Sequence, residues 1–365
     1  MSRQTNWPVF IPPQIGIVSY AEGNPGEAKS AIIRALAELT GRRYLPCYLE
    51  SLLPEDLSGV PVPRSVELNG RQEECVVKLL DETFLRAKEE PSIVLLDEMN
   101  QASHSMMAAA QEWINPPPEN AWVFAAGNPL DKATNGVEFS APFVNRLCVT
   151  QWECPGDIIR AGWRSGFKAY PAPAFPIVPP DYLDSFGTLW GNILADFADR
   201  FPELFAACPD DATKASQPWP SPRSWTNVGK LLAAADSVGA DAVTKDALIK
   251  GCVGMAVGTQ FQRFVTSLQL PDPEELLAQP HTLKLPVRFD LSRAIVASVI
   301  GRVRANATPQ RWESAYDLLE VAFSQQPETA MASEGSLWKL KPTGHMPKIR
   351  NGAAAEMRSL RLQAA

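Results

Sequence analysis

The sequence predicts an α/β protein in which a five-stranded parallel sheet is followed by all-helical parts of the chain. Two observations predict this class. In the first part of the chain, short apolar segments alternate with helix-like stretches, which is the pattern of strands that are joined by helices. From residue 181 onward, the apolar residues recur at the spacing of one helix face. The fold is therefore expected to be divided into a sheet domain and helical domains.

The predicted elements alternate along the first 155 residues. Five strands are predicted, at Ile15–Tyr20, Tyr44–Leu49, Ser92–Leu96, Trp122–Ala126 and Leu147–Trp152. Helices are predicted between them, at Ser30–Leu39, Cys75–Ala87 and Met106–Trp113. The strands are short apolar runs, as expected where helices cover both faces of a sheet.

Composition changes along the chain predict the domain boundaries. Residues 1–155 form the α/β domain, and the proline-rich region 156–180 is a linker, because proline does not fit the interior of a regular element. A small all-helical domain is expected at 181–280 and a helical C-terminal extension at 281–342. The tail 343–365 has few large apolar residues, so it is expected to be flexible.

The composition is that of an ordinary globular chain, with 45% hydrophobic residues and a net charge of -7. This acidic balance gives no general attraction to nucleic acid or to an anionic membrane, so protein partners are expected. The six cysteines form no C-x-x-C pair, and the three histidines give no zinc-type spacing. Reduced thiols and the lack of a signal or membrane segment lead us to expect a cytoplasmic protein.

The segment from Gly23 to Ser30 nearly matches the phosphate-binding loop G-x-x-x-x-G-K-[ST], with Ala28 in place of the second glycine. Backbone N–H groups in such a loop point at phosphates, Lys29 adds a positive charge, and Ser30 can hold Mg²⁺. The residues expected to bind nucleotide are Asn24, Pro25, Gly26, Glu27, Ala28, Lys29, Ser30 and Ala31. The alternative is a Gly/Pro turn that happens to precede a helix.

A second motif places two carboxylates at the end of a buried strand, in the run from Ile93 to Glu98. Adjacent acids at this position are costly unless a cation is near. Asp97 is expected to hold Mg²⁺ through a water, and Glu98 to polarise the water that attacks the γ-phosphate. The alternative is a strand that ends in an acidic helix cap.

Three further residues complete the predicted site. Asn128 follows the fourth strand and is expected to orient the attacking water, although Asn-Pro is also a common turn. Arg146 precedes the fifth strand, where it can reach a neighbouring subunit and stabilise the charge of phosphoryl transfer. Arg223 lies in the first turn of a helix that Ser221 caps, and it contacts the γ-phosphate if the helical domain folds back. Judged alone, both arginines could be ordinary surface residues.

These motifs, in this order, resemble those of the AAA+ ATPases, and specifically the MoxR-like branch. Gly23–Ser30 resembles the family's Walker A motif, in which alanine often precedes the lysine, and Leu95–Glu98 resembles Walker B. Asn128 resembles sensor 1, Arg146 the arginine finger and Arg223 sensor 2. The segment Leu53–Pro63 resembles the stretch before the family's helix-2 insertion. The likeness covers residues 10–270.

The resemblance implies a ring, usually a hexamer, with ATP and Mg²⁺ at subunit interfaces. It also implies a partner with a von Willebrand factor A domain. The implied role is to remodel or activate a client protein, or to insert a cofactor into it. Two departures stand out. The hairpin before sensor 1 is shortened or missing, since only Ile114–Ala121 separates the flanking elements. The helix-2 insertion, if present, must lie within Gly59–Arg71, where Leu68–Arg71 could form a tight turn, and the alternative is a short loop.

Two other functions stay open at this point. The first is a scaffold that binds ATP in order to assemble but scarcely hydrolyses it, suggested by Ala28 and the reduced hairpin. The second is a nucleic-acid motor or a small-molecule kinase. The net charge of -7 disfavours the motor, and the arginines after the sheet, Arg146 and Arg223, disfavour the kinase.

Overall fold

The computed structural model describes residues 6–130, 132, 136–165, 175–268, 270–343 and 345. The chain forms two compact units. The first lies within Met1–Pro176, Ala207–Ser224 and Lys250–Gly254; the second lies within Ile177–Ala206, Trp225–Ile249 and Met255–Ala365. The boundaries predicted from the sequence stay predictions, and most of the predicted tail lies outside the described residues, as does 166–174 of the predicted linker.

The first unit is built on a five-stranded sheet whose pairs are all parallel. Its strands are β1 (Val18–Glu22), β2 (Arg43–Tyr48), β5 (Ser92–Asp97), β6 (Ala121–Gly127) and β7 (Leu147–Gln151), in the spatial order β2-β5-β6-β1-β7. All five predicted strands are present, with ends displaced by a few residues. The predicted α/β class with a five-stranded parallel sheet is confirmed.

Side chains from the two faces of the sheet enter separate hydrophobic cores. In β5, Ile93 and Leu95 pack with α1 and α2 residues, whereas Val94 and Leu96 pack on the opposite face. Every residue of β5 is buried. Burial on both faces explains why the sequence shows continuous apolar runs rather than alternation.

Helices cover both faces of this sheet. Those of the first unit are α1 (Trp7–Gln14), α2 (Lys29–Thr40), α3 (Pro54–Ser58), α4 (Glu82–Glu89), α5 (His104–Ile114), α6 (Ala141–Val144), α7 (Gly156–Ser165) and α9 (Ala212–Ala215). The sequence analysis did not predict α1, because it contains three prolines, which disfavour a helix. Pro8 lies in the first turn, where no N–H partner is needed, and Trp7 to Pro13 are all buried against the sheet.

The helix predicted over Cys75–Ala87 is confirmed only from Glu82 onward, and its first part, Cys75–Leu79, is a strand. Residues Val60–Leu68 and Arg71–Leu79 form β3 and β4, an antiparallel hairpin, and the helix begins only at Glu82. The turn residues Asn69 and Gly70 both have left-handed backbone, with φ of 54° and 75°. Such a turn matches the twist of paired strands, and long cross-strand pairing outweighs the helical spacing.

This hairpin occupies the place of the expected helix-2 insertion, but it extends to Leu79 rather than ending at Arg71. Val60, Leu68, Val76 and Leu79 on it are all at least half exposed. The sequence analysis also expected the hairpin before sensor 1 to be shortened or missing. Residues 115–120, all of which the structure describes, contain no strand, so there is no hairpin directly before β6.

All the regular secondary structure in the described residues of the second unit is helical. Its helices are α8 (Tyr182–Arg200), α12 (Met255–Ser267), α13 (Pro273–Ala278), α14 (Phe289–Ala305), α15 (Pro309–Gln325) and α16 (Pro327–Trp338), together with most of α10 (Pro222–Ser237) and of α11 (Ala242–Val253). Aromatic side chains of α8, α10 and α12 pack in one cluster around Phe197. Within the part of the chain that the structure describes, no helix combines the length and the hydropathy needed to cross a bilayer.

Candidate functional site

The carboxyl ends of three neighbouring strands converge at one edge of the sheet. Glu22 at the end of β1 lies opposite Gly127 at the end of β6, and β5 ends beside β6 at Asp97. The loop that follows β1, the carboxylates that follow β5 and Asn128 therefore meet at this edge. In open parallel sheets this edge is where ligands bind.

The loop from Gly23 to Ser30 turns sharply into α2, which begins at Lys29. Ala28 has φ 58° and ψ 23°, the left-handed conformation that favours glycine. An alanine there costs about 1–2 kcal/mol relative to the right-handed form. Strain of this kind persists only where the surrounding structure holds it, and it concentrates at ligand-binding sites.

Lys29 is almost fully buried, with 9% of its surface exposed. Its Nζ donates hydrogen bonds to the carbonyls of Gly23 (2.7 Å) and Asn24 (2.9 Å) and to Oδ1 of Asn128 (3.4 Å). Burial lowers the pKa of Lys29, and the nearby carboxylates, Asp97 first among them, partly offset this effect. The ammonium group is thus held among acceptors at the carboxyl edge of the sheet, where phosphate oxygens can take their place.

Ser30 and Asp97 form a direct pair, with Ser30 Oγ donating to Asp97 Oδ2 at 2.7 Å. Asp97 is buried, and its Oδ1 accepts a hydrogen bond from the backbone N–H of Glu98 at 3.1 Å. A hydroxyl beside a carboxylate offers the hard oxygen ligands that Mg²⁺ prefers, and Mg²⁺ in phosphate sites takes only one or two of these from protein. The pair therefore fits the metal that the sequence predicts. Among the described residues, no larger cluster of metal-ligating side chains is found.

Glu98 is the second strained residue at this edge, with φ 54° and ψ 39°. Its Oε2 accepts hydrogen bonds from Nδ2 of Asn128 (3.0 Å) and from Nε2 of Gln101 (2.5 Å). The carboxylate is thus held between two amides and aimed at the same edge as Lys29. Gln101 was not singled out from the sequence, since nothing in its spacing marks it.

The backbone of Asn128 is held in place by the buried side chain of Asn100. Asn100 is 2% exposed, and its Nδ2 donates to the carbonyl of Asn128 at 2.6 Å. A Cβ on Gly127 would lie 2.2 Å from Oη of Tyr20 and 2.5 Å from Oδ1 of Asn100, so only glycine fits there. Asn100 thus holds the Asn128 backbone directly, and Tyr20 and Asn100 pack closely against the Gly127 that precedes it. The sequence analysis did not identify these residues.

Trp152 anchors the phosphate-binding loop to the end of β7. Its indole N–H donates to the carbonyl of Glu27 at 2.9 Å, and its backbone N–H donates to the carbonyl of Glu22 at 2.7 Å. A Cβ on Gly23 would lie 2.7 Å from Cβ of Trp152, so the loop rests directly on this side chain. Phe10 of α1 packs edge-on against the indole.

The two predicted arginines lie close to each other and away from this cluster. Burial lowers the pKa of Arg146, and the positive charge of Arg223 lowers it further. The guanidinium of Arg146 donates to the carbonyl of Pro142, while its buried Nε has no acceptor among the residues that the structure describes. Both arginines belong to the first unit, although Arg223 was expected to be in the helical domain.

The register of β7 shows which edge Arg146 occupies. Leu147 at the start of β7 pairs with Val18, and Gln151 at its end pairs with Glu22. Arg146 therefore lies at the amino edge of the sheet, while the phosphate-binding loop lies at the carboxyl edge. The five residues of β7 separate the two edges by roughly 16 Å.

No family model matches the chain. Among solved structures, the chain is similar to the crystal structure of a "putative ATPase" from Cytophaga hutchinsonii, with 15% sequence identity and a TM-score of 0.41. The similarity covers 70% of this chain and 86% of that one. At this level of similarity, no conclusion about what this chain binds follows from the comparison.

Proposed function

We propose that this protein is an Mg²⁺-dependent ATPase of the MoxR-like AAA+ type, which works as a ring of identical chains, usually six in that family. One observation carries the proposal. Lys29, the Ser30–Asp97 pair and the Glu98–Asn128 pair are connected through hydrogen bonds at the carboxyl edge of the sheet. Each of these groups has a use in phosphoryl transfer, and the sequence predicted all of them.

Each side chain has one task in the proposed reaction. Lys29 and the backbone N–H groups of its loop bind the phosphates of ATP. Ser30 and Asp97 would hold Mg²⁺, which would neutralise charge on the phosphates. Glu98 accepts a proton from the water as the water oxygen bonds to the γ-phosphorus and the bond to ADP breaks. Asn128 keeps the Glu98 carboxylate in place.

The arginines are proposed to act on the nucleotide of a neighbouring chain. Because Arg146 lies at the edge opposite to its own phosphate-binding loop, it has no short path to its own ATP. Arg223 lies beside Arg146, which favours the same role for it rather than a contact with the nucleotide of its own chain. Two arginines at one interface would make hydrolysis depend on assembly.

A second candidate function is an ATP-binding scaffold with slow turnover. The observation that favours it is the double hydrogen bond on Oε2 of Glu98, because a carboxylate engaged by two amides is less free to take a proton. A steady-state ATPase assay, run beside size-exclusion profiles with and without ATP, tests both candidates. Assembly with ATP but turnover near the detection limit would favour the scaffold.

The client and a von Willebrand factor A partner are also proposals. What supports a protein partner is the β3–β4 hairpin, whose apolar residues are exposed on a two-stranded ribbon, since such residues commonly mark binding surfaces. Capture of bound proteins by a Glu98→Gln variant loaded with ATP, compared with the same variant lacking Pro61–Lys78, would identify what binds and whether the hairpin is needed.

Replacing Trp152 with phenylalanine is expected to weaken ATP binding about fivefold, because one buried hydrogen bond to the loop is worth about 1 kcal/mol. Phenylalanine keeps most of the apolar contact with Phe10 and Gly23. Titration with a fluorescent ATP analogue measures the change. The matched control is Trp122→Phe on β6, whose ring lies under Arg42 rather than under the loop. Equal affinities for both variants would contradict the anchoring role.

Replacing Ser30 with alanine is expected to raise the Mg²⁺ concentration needed for half-maximal ATP binding by at least about tenfold, since even loss of a residue that only supports a metal ligand costs about that much. Affinity for ATP in EDTA should stay unchanged, since the phosphate-binding N–H groups are retained. Calorimetric titrations across an Mg²⁺ series check this. An unchanged Mg²⁺ requirement would remove Ser30 from the metal site.

A further inference from the structure

A buried hydrogen-bond bridge joins the two segments that carry Arg146 and Arg223. Asn145, directly before Arg146, is 6% exposed. Its Oδ1 accepts a hydrogen bond from Oγ of Ser221 at 2.9 Å, and its Nδ2 donates to the carbonyl of Trp219 at 3.3 Å. Both ends of the Asn145 amide therefore hold the chain just before α10.

Ser221, which Asn145 contacts, takes part in the cap of α10 that fixes the backbone of Arg223. Ser221 and Ser224 cap the first turn of α10 reciprocally: Ser224 N donates to Ser221 Oγ at 3.1 Å, and Ser221 N donates to Ser224 Oγ at 2.8 Å. Ser224 is 1% exposed and Ser221 is 7% exposed. Arg223 lies between these two residues, so the bond from Asn145 to Ser221 fixes the Arg223 backbone relative to Arg146.

A second contact joins the same segments. The indole N–H of Trp219 donates to the carbonyl of Ala141, the first residue of α6, at 3.3 Å. Together with the Asn145 bonds, it ties both ends of the α6 turn to residues 219–221. The positive charges of Arg146 and Arg223 repel one another, and these contacts hold the two backbones together against that repulsion.

We propose that Asn145 is a positioning residue that holds Arg146 and Arg223 as one two-arginine site for the terminal phosphate of ATP bound to a neighbouring copy of this chain. The proposal rests on the proposed ATPase function. It adds that the geometry of the pair, and not the mere presence of each arginine, sets the rate. A misplacement of about 1 Å at a reacting centre can cost a hundredfold in rate.

Asn145→Ala should lower kcat by roughly ten- to a hundredfold. Its affinity for ATP should stay unchanged, because its own phosphate-binding loop is intact. Asn306→Ala, at an exposed position in the second unit, is the matched control and should behave as wild type. An unchanged kcat for Asn145→Ala, or a loss of ATP affinity as large as the loss of rate, would overturn the proposal.

Mixed assemblies separate positioning from a general defect of folding. An Asn145→Ala chain has an intact loop and a disturbed arginine pair, whereas a Lys29→Ala chain has the reverse. In an equal mixture, roughly a quarter of head-to-tail interfaces join an intact loop to an intact pair. The mixture should therefore be more active than either variant alone.

The mixture of Arg146→Ala with Lys29→Ala tests whether the arginines act on a neighbouring chain, separately from the role of Asn145. If that mixture recovers activity and the Asn145→Ala mixture does not, the proposed function stands and the role of Asn145 is overturned. If neither recovers, the action on a neighbouring chain is overturned, and this inference with it. Should Asn145→Ala fail to fold, Asn145→Asp, which keeps the acceptor for Ser221 but loses the donor to Trp219, should give the same recovery on mixing.

Discussion

Replacing Glu98 with glutamine is expected to abolish ATP turnover while ATP binding persists. Glutamine has the same shape but cannot accept a proton from the attacking water, and loss of a general base costs about 10²–10⁴-fold in rate. Lys29, Ser30 and Asp97 keep their own hydrogen bonds, so the phosphate site is retained. Single-turnover hydrolysis and equilibrium binding of ATP, measured on the same preparation, give the two quantities.

The control for this variant is Glu38→Gln, at an exposed position on α2 of the same unit. It removes an equal charge and should leave both quantities unchanged. Hydrolysis by Glu98→Gln at the wild-type rate would show that another group takes the proton. In that case the hydrogen bonds from Gln101 and Asn128 to Glu98 would have only a structural role.

Replacing Arg146 with alanine is expected to lower turnover in the assembled state by about 10³–10⁵-fold, the usual value of an arginine supplied to the transferring phosphoryl group. The ATP affinity of the isolated chain should not change, because Arg146 lies at the opposite edge of the sheet from the loop. Steady-state rates measured across a range of protein concentrations would reveal the dependence on assembly.

Arg86→Ala serves as the comparison for this second variant. Arg86 is a surface residue of α4 that pairs with Glu82 and Glu90, and its loss should leave the rate unchanged. A wild-type rate for the assembled Arg146→Ala protein would exclude Arg146 from the reaction. Weakened ATP binding in the dilute, unassembled chain would instead indicate that Arg146 acts within its own chain.

The sequence was sufficient to predict the sheet and the polar residues at its carboxyl edge. Strands such as Ser92–Asp97 are buried on both faces, so their apolar runs are unambiguous, and the motifs lie where those runs end. The first part of the helix predicted over Cys75–Ala87 was wrong because its valines and leucines fit either period, and only the Asn69–Gly70 turn decides between them.

Residues that support the site were harder to find than residues that compose it. Gln101, Asn100 and Trp152 act through hydrogen bonds to other residues of the site, across long separations in the chain. Their positions follow no motif, because a single amide or indole placed by tertiary packing leaves no periodic pattern. The proximity of Arg223 to Arg146 also follows from tertiary packing, because it depends on where residues 207–224 pack.

That packing has a consequence for biosynthesis. The sheet-bearing unit takes in residues as late as Gly254, so it cannot be completed when residue 155 leaves the ribosome. At 5–20 residues per second, the last of the missing pieces arrives roughly 5–20 s later. Trp219 and Ser221 follow residue 155 after roughly 3–13 s, and until then the nascent chain leaves exposed the surface of α6 that they will cover.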